Sequence, residues 1–338
     1  MFWCLAFMLK SLNGGWPMSP PLDWLSRLLE MTPVRGQLDL RCQYGAPWRI
    51  DQDAFASGEM AYHIVLRGSA LLENPEGGGP EPLEAGDILL LANGEAHTLH
   101  DGGGARAKPA RSRIAANLVF SENAGKGDRL DMLCGRFVLT PPHARLLRRY
   151  LPSRLVARTG IAKASPSDQE SGAELHGLMA LMQAESRSDF LGGRAMLDAL
   201  STALFALTLR FASESKEAPS GLLALAGYPR LAPALDAMFH DPGHPWTLPL
   251  LAEKCSMSRA TFVRLFQDKL GLSASELLTD IRMTMSANEL RKTSVSTGAI
   301  AEAVGYQSEA AFQRAFKQHM GVTPARWRKS AGTKEGLA

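Results

Sequence analysis

Apolar positions change their period part-way along this chain. From about Gln37 to Leu139 they alternate in short runs, and from Ser167 onward they recur at three- and four-residue spacing. The short runs predict strands over Leu38–Cys42, Trp48–Asp51, Ala61–Arg67, Ser69–Leu72, Asp87–Leu91, Thr98–His100, Asn117–Phe120 and Arg136–Leu139. Glycine clusters at 77–79 and 102–104 read as turns between them. Short strands at this spacing predict a β-sandwich or small barrel.

The helical pattern opens with two segments. Ser167–Ser188 carries Leu175, Leu178, Met179 and Met182; Gly192–Ser213 carries Met196, Leu197, Leu200, Leu204 and Leu207. They read as a hairpin packed on the strands, with dimerisation through the same apolar surface as the alternative. Ahead of them Arg145, Arg148, Arg149, Arg154 and Arg158 read as a solvated basic face. Ser213–Ser220 reads as a flexible linker.

A repeat then appears. Aligned without gaps, 258–273 and 308–323 share Ser258/Ser308, Ala260/Ala310, Phe262/Phe312, Arg264/Arg314, Phe266/Phe316 and Gly271/Gly321. Such a repeat marks one structural unit used twice. In each copy the apolar residues make one helical stripe: Phe262, Leu265, Phe266 and Leu270, then Phe312, Ala315, Phe316 and Met320. The opposite face carries Arg259, Ala260, Val263, Arg264 and Gln267 in the first copy. In the second it carries Glu309, Ala310, Gln313, Arg314 and Lys317. Arginine suits a guanine edge, glutamine an adenine, and alanine leaves room for a thymine methyl. Ser258 and Ser308 are N-cap residues and Gly271 and Gly321 are stops. A short helix precedes each copy, with Thr247 and Thr297 as predicted caps. Helix, tight turn and outward-polar helix is the order of a DNA-reading helix-turn-helix. Between the copies, Ser275–Lys292 predicts a helix roughly 25 Å long, which lets the two units enter successive major grooves.

These residues resemble the AraC/XylS family of DNA-binding regulators. Trp246-Thr-Leu, Leu251-Ala-Glu253, Arg264-Leu-Phe266 and Ile281-Arg-Met283 resemble the first half of its DNA-binding domain. Ile300-Ala-Glu302, Val304-Gly-Tyr306-Gln-Ser308, Gly321-Val-Thr-Pro324 and Trp327-Arg328 resemble the second. The resemblance covers about the last hundred residues. It implies seven helices, base contact by the ten outward residues, transcription regulation (usually activation) and RNA polymerase as a partner. Two positions depart from the family: Val263 replaces a commoner polar residue, and Ile281 a common tryptophan.

Gly86-Asp87 through Gly94-Glu-Ala-His97 resembles the second cupin motif, with Ala92 in place of proline. Tyr62-His-Ile-Val-Leu-Arg-Gly68 and Cys134-Gly-Arg-Phe137 extend that resemblance to the cupin-type sensor of one subgroup of the same family. An enzymatic cupin brings three or four His/Glu ligands together. Here His97 stands at the motif position without the paired histidines of the first motif, His63 lies outside that motif, and His100 faces away from His97 on a strand. No metal or other cofactor and no catalytic residue is therefore expected. Trp48, Arg49, His63 and His97 remain as candidate contacts to a small-molecule effector.

Charge changes the picture little. The formal net charge is +3, and from Gly227 onward 14 Lys and Arg stand against 10 Asp and Glu, so the excess sits on the repeat. Cys4, Cys42, Cys134 and Cys255 have neither metal nor redox spacing and read as small buried residues. No apolar run reaches membrane length, and Phe2–Leu9 lacks the flanks of a signal peptide. A cytoplasmic protein is expected, with residues 1–17 disordered or an upstream start.

The expected architecture is α+β. A cupin-like effector domain spans 18–160, a helical hairpin and linker 161–220, and an all-α DNA-binding domain with two helix-turn-helix units 221–338. The expected function is a sequence-specific transcription regulator on double-stranded DNA, responsive to an effector and a possible homodimer. Two alternatives stay open: a metal-dependent cupin enzyme with a DNA-binding tail, and an effector-independent regulator with a structural cupin.

Overall fold

The computed structural model describes residues 22–332 except 75–76, 116, 160–165, 216–220 and 293. The expectation for residues 1–17 and most of the linker expectation fall outside them. Helix α1 (Trp24–Met31) precedes ten strands: β1 (Val34–Gly45), β2 (Arg49–Gln52), β3 (Glu59–Arg67), β4 (Ser69–Leu72), β5 (Glu81–Glu84), β6 (Asp87–Leu91), β7 (His97–His100), β8 (Ala110–Ile114), β9 (Val119–Asn123) and β10 (Arg129–Leu139). Helix α2 (Pro141–Tyr150) and strand β11 (Arg154–Arg158) follow.

The strands form two sheets, ordered β11-β6-β3-β10-β1-β9-β8 and β2-β7-β4-β5. This is a jelly-roll-like double sheet rather than a closed barrel. Its filling is apolar: Cys42, Trp48, Ala61, Val65, Leu72, Leu83, Leu89, Leu99, Met132 and Cys134 pack in one buried cluster. The predicted strands all lie within or overlap observed ones, but β5, β8 and β11 were not predicted.

Arg154 and Arg158 correct the expectation of a solvated basic face. They sit on β11, which pairs antiparallel with β6, and both form ion pairs with Glu81. Helices α3 (Pro166–Glu185) and α4 (Gly193–Glu214) make the predicted hairpin and cover the outer face of the larger sheet. Gly36 makes the approach of β1 to α4 possible, because a Cβ there would lie 2.3 Å from the backbone carbon of Ser201. Helix α4 is long and apolar enough to cross a membrane, but it packs on β1 and α3.

The C-terminal part holds α5 (Leu222–Ala226), α6 (Ala232–His240), α7 (Leu248–Lys254), α8 (Arg259–Leu270), α9 (Ala274–Lys292), α10 (Thr297–Ala303), α11 (Glu309–Met320) and α12 (Pro324–Gly332). Two cores serve these helices. Leu251, Phe262, Phe266, Leu277 and Ile281 belong to a cluster continuous with Leu28, Leu146, Tyr150 and Phe205 of the preceding part. Met283, Ala287, Leu290, Ile300, Phe312 and Phe316 form a separate one.

Candidate nucleic-acid interface

Each repeat folds as its residues dictate. Ser258 accepts a hydrogen bond from the Thr261 amide and Ser308 one from the Ala311 amide, so α8 and α11 begin where the serines stand. Gly271 and Gly321 stop them with φ of 78° and 77°, in the left-handed region. Thr247 caps α7 as expected. For α10 the cap is Ser296 rather than Thr297, because Ser296 has the extended backbone and accepts from the Ala299 amide.

Phe262, Phe266, Phe312 and Phe316 are buried, which turns the opposite faces outward. Arg259, Ala260, Val263, Arg264 and Gln267 are all exposed on α8, as are Glu309, Ala310, Gln313, Arg314 and Lys317 on α11. Among the described residues nothing forms an ion pair with Arg259, Arg264, Arg314 or Lys317. Gln267 donates to its own helix end at the Gly271 carbonyl (2.8 Å), and Gln313 donates to Glu309 (2.9 Å). Two free guanidinium faces on two capped helices, joined by the 19-residue α9, can each lie in a major groove.

The four effector candidates separate. Trp48 is buried against Tyr44, and Arg49 is exposed, bound to Asp51 and Glu73. His63 and His97 meet, with Nε2 atoms 2.7 Å apart. His97 Nδ1 lies 2.9 Å from the Glu95 carbonyl and must donate to it, so its Nε2 accepts from His63 Nε2–H. His63 Nδ1 then accepts from the Cys134 thiol at 3.2 Å, and Cys42 Sγ lies 3.8 Å from Cys134 Sγ.

Burial and the neighbouring His97 push the His63 pKa down to about 3, and burial lowers that of His97. The hydrogen bond with Cys42, and then burial, hold the Cys134 thiol well above its ordinary value. His63, His97 and Cys134 are thus neutral at pH 7. Sequence reading missed both cysteines here, because β3–β10 and β1–β10 pairing brings them in from distant positions. Among the described residues no three His, Cys, Asp or Glu side chains are placed to hold a metal ion.

A second polar cluster, also absent from the sequence reading, joins the two parts. Asp280 on α9 is buried and accepts from the Tyr150 hydroxyl at 2.5 Å. It pairs with Arg149 (3.1 Å) and with His319 at the end of α11 (3.1 Å). Arg149 also reaches Glu276, and Arg145 donates to the His319 carbonyl.

Two capped helix-turn-helix units with outward arginines, set beside a double-sheet domain, define a DNA-binding regulator with an attached sensor-type domain. Comparison with known proteins agrees. A family model described as "Cupin" matches residues 23–214, and one described as "Helix-turn-helix domain" matches 251–330. An uncharacterized HTH-type transcriptional regulator of Haemophilus influenzae is 30% identical over 91% of this chain and 99% of its own length. The RCS-specific HTH-type transcriptional activator RclR of Escherichia coli is 29% identical over 91% of this chain and 98% of its own. Among solved structures, the C-terminal domain of AraT from Geobacillus stearothermophilus is 35% identical, covering 30% of this chain and 85% of that one at TM-score 0.29. The chain belongs to the AraC/XylS family of transcription regulators and carries a cupin-type domain ahead of its DNA-binding domain.

Proposed function

We propose that the chain is a cytoplasmic one-component regulator, not an enzyme, that reads two adjacent sites on double-stranded DNA with α8 and α11. Arg264 and Arg314 contact bases; Gln267, Gln313 and Lys317 assist, and Arg259, Ala260, Val263, Glu309 and Ala310 complete the surface. The observation that carries this is the pair of exposed reading faces whose arginines have no ion-pair partner among the described residues. A small molecule acting on the cupin part sets the regulator's output, and RNA polymerase is its partner at the promoter. Trp48, Arg49, His63 and His97 are the proposed effector contacts, and of these His97 and Arg49 are the ones not buried. Phe190, Leu191 and Met196, exposed on the α3–α4 hairpin, support a homodimer through that surface.

The test is selection of genomic DNA fragments by the purified full chain at fixed, near-physiological salt, since salt sets non-specific affinity. A sharp site with two elements about one helical turn (~34 Å) apart is expected. Weak, salt-sensitive binding without a preferred sequence, with and without cell extract as a source of effector, would defeat the proposal.

A further inference from the structure

We infer that the network centred on Asp280 is the joint by which the cupin part sets the position of the second recognition unit relative to the first. The two units are held differently. Phe262 and Phe266 of the first belong to the apolar cluster that runs on through Tyr150 and Leu146 into the cupin part. The first unit is thereby fused to the sensor side. Phe312 and Phe316 of the second belong to their own cluster. Polar groups on α2 hold the second unit: Arg149 and Tyr150 grip Asp280, Asp280 grips His319, and Arg145 binds the His319 carbonyl. On the same helix α9, Asn288 accepts from His143 at 2.6 Å and donates to the Met31 carbonyl at 2.8 Å.

Geometry limits what this joint does. It holds the C-terminal end of α11, whereas the reading residues from Glu309 to Lys317 stay exposed. It therefore does not cover the DNA-reading face. What it fixes is where that face sits relative to α8. A carboxylate as buried as Asp280 keeps its place only while its partners do, because unpaired it is strongly disfavoured. A cleft of about 400 Å³, lined by Arg145, Arg149, Glu276, Asp280, Gln318 and His319, leaves one side of the network open. The Arg145, Arg149 and His319 side chains that line this cleft can therefore rearrange while Tyr150 stays in the apolar cluster. A change in these contacts alters the spacing of the two reading helices.

The inference rests on the two-site reading proposed above, and its test has a readout that does not need DNA. Spin labels at Gln267→Cys and Lys317→Cys, in a full-length chain carrying Cys4→Ser, report the separation of α8 and α11; the three described native cysteines are buried. The Arg149→Leu/Tyr150→Phe chain is expected to give a broader or displaced distance distribution than the parent. An identical distribution overturns the inference.

On DNA, the same variant is expected to keep single-element affinity within about twofold. It should lose about tenfold of the extra affinity that a two-element duplex provides through linkage. Equal loss on both duplexes marks a folding defect, and Tyr150→Phe alone, read by the same distance, then decides. A parent chain without any preferred sequence defeats the proposed function and leaves the distance measurement to settle the joint.

Discussion

At the scale of residues, Arg314 offers the sharpest test. Arg314→Ala should cost about 1–3 kcal/mol of specific binding and relax discrimination at one base position. Lys317→Ala should weaken all sequences alike if it touches phosphate. Competition titration at fixed salt separates the two, and unchanged operator affinity would remove Arg314 from the reading face. His63 gives a second expectation. Its folded pKa, about 3, lies below the ordinary 6.5. Above pH 6.5 it is neutral in both states; below that, the unfolded chain takes up a proton that the folded chain refuses. Stability is therefore complete above about pH 6.5 and declines as pH falls toward 3. His97, His143 and His319 are lowered by burial and add in the same direction. Thermal melts between pH 7.5 and 5 should show a falling Tm, less steep in His63→Gln; equal slopes would mean that His63 does not stay neutral. The motif made His97 legible as a candidate. His63 was legible only as a weaker one, and Cys134 not at all, since strand pairing, not spacing, sets it opposite His63.

Elements were legible where local chemistry decides them. Ser308, Phe312, Phe316 and Gly321 define α11 without tertiary information, and its bounds follow from its caps. Ser308→Ala should cost about 1 kcal/mol. Gly321→Ala should cost about 1–2 kcal/mol from the left-handed backbone alone, because a Cβ there meets nothing within 4 Å. Thermal melting of the full chain checks both, and a neutral Gly321→Ala would mean that the helix end relaxes into another stop. Strands were less legible where the pattern carries little burial. All five residues of β8 are exposed, and β5 has a proline and one buried leucine in four positions. On β11, Leu155 and Ala157 are buried between arginines, so a charge run concealed an alternating strand. What makes these segments strands is pairing with β9, β4 and β6, a non-local cause.

For the whole molecule, the separation into a sensor part and a reading part follows from the change of period, but the way they join does not. No local pattern relates Tyr150 to Asp280, 130 positions apart, or Trp24 to Phe239. The same limit applies to the reading geometry. If α8 and α11, joined by α9, enter successive major grooves as proposed, they step along the duplex rather than meet across a two-fold axis, so the site should be a direct tandem of unlike elements. Inserting about five base pairs between them turns the second element to the opposite face of the duplex. Full-chain affinity should then fall to that of a single element, while about ten base pairs restore the face but exceed the span of α9, roughly 28 Å for 19 residues. Both insertions should therefore abolish the two-element gain. Recovery at ten base pairs would mean that two chains, not two helices of one chain, occupy the site.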